Sequence, residues 1–176
     1  MAFVPLNTNN SDLANYNNVN NALRDLNNKK IKNADLSITS GEPGGVWKSW
    51  TPTFTNLSGG TLNYAKYTQI GKTVHFRFKY TLGGAGVSGS VTFSLPVNLN
   101  ADYNSTADYI HGTASLFDFG TASYIGVIRW ASSSTLTIRA LNAALSYAAG
   151  GDLSSSVPHT WANTDVIQVT GTYEAA

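Results

Sequence analysis

The sequence predicts an all-β domain, an antiparallel β-sandwich or jelly roll, preceded by a short N-terminal α-helical stem with a coiled-coil seam. Three observations carry that prediction. Apolar residues before residue 40 are sparse and recur at steps of three and four. A segment with Pro43 and three glycines then interrupts any helix. From residue 46 onward the period drops to two, in short runs separated by Gly, Ser and Asn.

The stem comes first in chain order. Residues 1–35 contain 11 asparagines. Within them Tyr16, Val19, Leu23 and Leu26 form an a/d seam over two heptads, with Leu13 and Ile31 near its ends. Asn10 or Ser11 is a suitable N-cap, which predicts a helix over residues 12–30. Asparagine costs roughly 0.5 kcal/mol per site relative to alanine in a helix, and so short a helix is marginal alone. The narrow stripe therefore needs a partner, and identical copies around an axis are the simplest one. Packing back on the chain's own β domain is the alternative. Lys29, Lys30 and Lys32 read as a solvated helix end that complements the dipole. Domain boundaries follow from the linker: residues 1–40 are an attachment segment with an oligomerising helix, and residues 41–176 the β domain.

Eight strands are legible in that domain. Val74–Leu82 is the clearest, with Val74, Phe76, Phe78, Tyr80 and Leu82 on one face and His75, Arg77, Lys79 and Thr81 on the other. Val91, Phe93 and Leu95 repeat the pattern until Pro96 ends it. Ile110, Gly112, Ala114 and Leu116 set an apolar face with His111, Thr113 and Ser115 opposite. Further strands read over residues 53–57, 62–70, 123–131, 135–141 and 166–173. Ile70-Gly71-Lys72-Thr73 has Gly at the first central position of a type II′ hairpin. Gly83–Gly86 and Gly150-Gly151-Asp152 read as mobile loop tips.

Composition narrows the function classes. Charged residues are 12% of the chain, about half the usual share, so hydroxyls and amides dominate the surface. Eleven basic and ten acidic side chains leave a net charge of +1, which argues against nucleic acid as main partner. With no cysteine there are no disulfides or thiolate metal sites. The N-terminus lacks a signal-peptide pattern, and no apolar run is long enough for membrane insertion.

Catalytic patterns are weak. Gly71-Lys72-Thr73 is followed by a hairpin, unlike a phosphate loop, and the loop's first glycine would fall at Lys66. Gly86-Val87-Ser88-Gly89-Ser90 lacks the last glycine of a nucleophile elbow. Among the carboxylates Glu42, Asp102, Asp108, Asp118, Asp152, Asp165 and Glu174, the only suggestive grouping is Asp102 and Asp108, which flank a loop with Tyr103 and Tyr109; such loop carboxylates read as turn-formers or solvated groups. His75, His111 and His159 are scattered and read as exposed strand or loop histidines. The expectation is a non-enzyme without catalytic residues, metal or other cofactor. Trp47 and Trp50 are expected to pack where stem meets domain. Trp161 lies in a polar loop with His159 and Asn163. It either packs inside the domain or stacks on a sugar ring, with Asn163 and His159 as candidate hydrogen-bonding neighbours.

Trp47-Lys48-Ser49-Trp50-Thr51-Pro52-Thr53-Phe54, followed by Tyr67-Thr68-Gln69-Ile70-Gly71-Lys72-Thr73-Val74-His75-Phe76, resembles the opening of a β-sandwich domain of bacteriophage and prophage tail fibres and related appendages. The Asn-rich stem also looks like the attachment end of small phage head or tail fibres. The recognisable stretch covers residues 47–95; the rest is compatible in pattern only. The resemblance implies a homotrimer in a virion, synthesised in the host cytoplasm. It implies an N-terminus docked on other virion proteins and a β domain that points outward, where contact with host surface glycan is a possible further role. The number three comes from the resemblance, because a two-heptad seam does not fix it. A carbohydrate-binding or adhesin module is the rival reading.

Overall fold

The computed structural model describes residues 16–24, 45–103, 110–142 and 148–176. The chain divides into two units, residues 1–44 and 45–176. In the first, residues 16–24 form helix α1, inside the predicted 12–30 span. Leu26, Leu13 and Ile31 lie outside the described residues. No helix among the described residues is long and apolar enough to cross a membrane.

The second unit is antiparallel β. Its strands are β1 (Lys48–Ser49), β2 (Phe54–Leu57), β3 (Thr61–Ile70), β4 (Thr73–Gly83), β5 (Val87–Ser94), β6 (Ile110–Asp118), β7 (Ala122–Ser132), β8 (Thr135–Asn142), β9 (Ala149–Asp152) and β10 (Asn163–Glu174). All eight predicted strands are present. The two additional ones, β1 and β9, are too short for alternation to show. β9 occupies Gly150-Gly151-Asp152, which is therefore a paired strand instead of a mobile tip. It is held on β8 by backbone ladder and by the Arg139–Asp152 ion pair at 2.9 Å.

One ten-stranded sheet runs in the order β1-β3-β4-β10-β6-β7-β8-β5-β2, with β9 paired to β8. The sheet curls until its two edges approach each other. The connection between β1 and β2 spans that gap: Trp50 N donates to Ala65 O of β3 (3.2 Å), while Thr53 O accepts from Ser94 N of β5 (2.9 Å). Trp50 Nε1 also donates to Ser94 O (3.3 Å). Curling covers the edges that an open sheet would leave free to pair with other chains.

The inner face supplies the core predicted by the alternation of β4. Phe76, Phe78 and Phe93 are fully buried, each burial stabilising by about 1.5–3 kcal/mol. Phe54, Phe78 and Phe93 meet edge to face, with centroids 5.4 and 5.0 Å apart. Trp50 packs into this cluster against Tyr67, Phe76 and Phe78, so it is a core residue of the β unit. Tyr173 closes the same core: its hydroxyl donates to Val97 O (2.8 Å) and accepts from Val97 N (3.3 Å). Burial, more than its neighbours, holds this phenol well above the ordinary tyrosine range.

Gly71 takes φ 57° in the β3–β4 turn, as the predicted hairpin requires. Gly171 lies directly over Phe76: a Cβ built there would stand 2.5 Å from Phe76 Cζ, so only glycine leaves the ring its place.

One predicted face is reversed. A register irregularity between Ile110 and Gly112 against β7 turns Ile110 outward, 64% exposed, and His111 inward, 8% exposed. From Thr113 onward the predicted alternation resumes, with Ala114 and Leu116 buried. His111 is therefore not the exposed strand histidine expected from the sequence.

Candidate binding face

The loop bearing Trp161, His159 and Asn163 is not an open sugar platform. Trp161 is 2% exposed, and its Nε1 donates to Ser154 O (3.0 Å) and Val157 O (3.2 Å). His159 is also buried, sandwiched between Tyr124 (centroids 5.3 Å) and Trp161 (4.3 Å). Only Asn163 is exposed. The packing alternative for Trp161 is the one realised, and an indole with both faces covered has none left for a ligand.

At the centre of this region sits Asp165, 1% exposed. Its Oδ1 accepts from Phe119 N (3.0 Å), and its Oδ2 accepts from Ala162 N (2.7 Å) and His159 Nε2 (3.2 Å). One carboxylate thus ties the β6–β7 turn to the segment entering β10. Asp165 is therefore a buried, fully bonded carboxylate and not the turn-forming or solvated group expected from the sequence. The signal was available: Asp165, Ile167 and Val169 share the inward parity of β10.

Asp118, His159 and Asp165 place potential ligand atoms within 4.8 Å of one another. Oxygen and imidazole donors of this kind suit divalent cations. Both Asp165 oxygens, however, already lie within hydrogen-bond distance of nitrogen partners: Phe119 N, Ala162 N and His159 Nε2. The cluster is therefore read as a structural tie.

The other side of the sheet offers a more open arrangement. Strand register aligns two rows across β3, β4, β10, β6 and β7 on the outward face. The first is Lys66, Arg77, Thr170, Thr113 and Val127; the second is Tyr64, Lys79, Gln168, Ser115 and Ile125. Cations cluster at the β3–β4 end, and hydroxyls and an amide fill the middle. Neither row contains a carboxylate between β3 and β7. Several of these side chains are held in place: Arg77 lies 4.4 Å over the Trp47 ring, Lys66 Nζ donates to Ser49 Oγ (2.7 Å), and Gln168 Nε2 donates to the Tyr64 hydroxyl (3.3 Å). A shallow depression of about 590 Å³ runs along Tyr64, Arg77, Gln168, Thr170 and Ile125. A second, of about 470 Å³, adjoins Lys79, Phe117, Phe119 and Thr164. The polar parity of β4 marked half of this face in the sequence. The partners on β10 and β6 could not be known without the register.

Of the oligomerisation residues, Tyr16, Val19 and Leu23 lie on α1 with 68%, 58% and 56% of their surface exposed. Leu26 lies outside the described residues. A scan against protein-family models and searches of curated proteins and of solved structures each return no match.

Proposed function

We propose that this chain is a structural, non-enzymatic component of a bacteriophage virion: a short homotrimeric fibre or capsid-decoration protein. In this reading α1 is the coiled-coil stem, the N-terminal segment docks on other virion proteins, and the curled sheet is a jelly-roll-type sandwich that meets host surface glycan. The observation that carries it is the seam of α1. Large apolar side chains more than half exposed on so short and asparagine-rich a helix need a partner to be stable. The likeness of residues 47–76 to fibre-domain openings supplies the class and the number three.

Light scattering on the full-length protein tests this reading. The expected mass is three chains, falling to one in Val19→Asp/Leu23→Asp while the β-sheet circular dichroism stays unchanged. A monomeric parent protein would overturn it, as would a trimer indifferent to both substitutions. The rival, a carbohydrate-binding or adhesin module acting as a monomer, is favoured by the hydroxyl-rich outward face. Presence or absence of the protein in purified virions separates the two.

A further inference from the structure

We infer that the outward rows of β3, β4, β10 and β6 form a binding site for an acidic oligosaccharide, one bearing carboxylate or sulfate groups, with Arg77 and Lys79 as its principal anion contacts. The inference deepens the glycan-contact part of the proposed function and rests on it.

The charge pattern comes first. Arg77 and Lys79 point the same way from one strand, and Lys66 and Tyr64 are their cross-strand neighbours on β3. With side chains two apart on a strand about 7 Å from each other and strands about 4.8 Å apart, the three cations occupy one small area. Nothing in either row neutralises them. Lys66 is held by a neutral hydroxyl and Arg77 by an indole face, so neither is paired with a carboxylate there and both lose rotamer freedom. That pre-orders the site and lowers the entropic cost of binding.

Next to the cations the surface changes character in the way a sugar needs. Thr170, Thr113, Ser115 and Gln168 present short neutral donors and acceptors along the neighbouring strands, flanked by the exposed Ile125 and the Tyr64 ring. Hydroxyls and an amide match ring hydroxyls, and the apolar edges suit the C–H faces of a pyranose. Only three cations stand in the rows. A nucleic-acid face would be expected to follow a phosphate backbone with more of them. The depression along Tyr64, Arg77 and Gln168, of about 590 Å³, places Arg77 and the neutral polar groups on one surface.

The test uses full-length protein in affinity electrophoresis through gels containing polygalacturonate, neutral dextran or single-stranded DNA. Polygalacturonate should retard the protein, and dextran should not. Arg77→Gln/Lys79→Gln should weaken the polygalacturonate interaction by about tenfold or more, and added salt should weaken that of the parent protein. Lys72→Gln, in the β3–β4 turn, removes a positive charge outside these rows and should leave binding unchanged. Absence of retardation by polygalacturonate overturns the proposal. So does equal binding by the double variant, equal loss in Lys72→Gln, or tighter binding of DNA than of the polysaccharide. Light scattering on the same samples separates this site from the fibre reading: a trimer that ignores polygalacturonate sinks the site alone.

Discussion

Two buried polar residues of the β unit have opposite consequences. Asp165 is fully satisfied, and three donors converge on it. Replacing it with alanine leaves Phe119 N, Ala162 N and His159 Nε2 without their acceptor, the last of them in a buried bond. Removing one member of such a buried charged network costs about 3–5 kcal/mol. Asp165→Ala should show that loss in denaturant unfolding, and a cost under about 1 kcal/mol would mean the carboxylate is not the tie described. His111 is the unsatisfied counterpart. Its Nε2 is buried without a partner among the described residues, and desolvation lowers its pKa from 6.5. The unfolded chain therefore takes up this proton first as the pH falls. Stability is complete above 6.5 and is lost as the pH drops from there toward the lower folded value. His111→Gln removes this titration, so its melting temperature should fall less than the parent's between about pH 8 and about pH 5. Parallel curves would show that His111 contributes nothing to the acid limb.

The elements show why some of this was readable and some was not. β4 announces itself because five apolar residues alternate with four polar ones, and that pattern survives into the structure unchanged. β6 misleads because alternation assumes an unbroken ladder. One irregularity at its start exchanges the faces of Ile110 and His111, and nothing in the residue types reports it. The Trp161 loop misleads differently: a polar neighbourhood in sequence conceals a fully packed indole, because its partners Ser154 and Val157 offer backbone carbonyls. The outward rows were half legible, from β4 alone, since pairing with β10 joins segments about ninety residues apart. The same long-range logic governs the β1–β2 connection. Trp50→Ala deletes three edge-to-face contacts and the bond to Ser94 O, a truncation that costs about 3–5 kcal/mol. Hydrogen exchange in this variant should accelerate first at position 50, Ser94 and the β1 and β2 amides while β6, β7 and β10 keep their protection. Uniform acceleration across the sheet would instead mean that the gap-spanning segment opens only with global unfolding.

For the whole molecule, the two units should respond differently to heat. The β unit carries its own aromatic core and closes its own edges, so its unfolding is unimolecular if the stem alone holds the assembly. In the proposed trimer the stem rests on a two-heptad seam weakened by asparagine, and its order would depend on association. Mass action then makes its melting midpoint rise with protein concentration, whereas the β transition stays fixed. Circular dichroism followed at a helical wavelength and tryptophan fluorescence followed in parallel should resolve an early, concentration-dependent step and a later, concentration-independent one. All four tryptophans, at positions 47, 50, 130 and 161, lie in the β unit, so fluorescence reports that unit selectively. A single transition that shifts with concentration in both signals would move the assembly contacts onto the sheet. The exposed Phe119 and Ile125 would then be the first residues to substitute. A helical signal independent of concentration would mean that the seam finds its partner within one chain, and the stem would no longer account for a trimer.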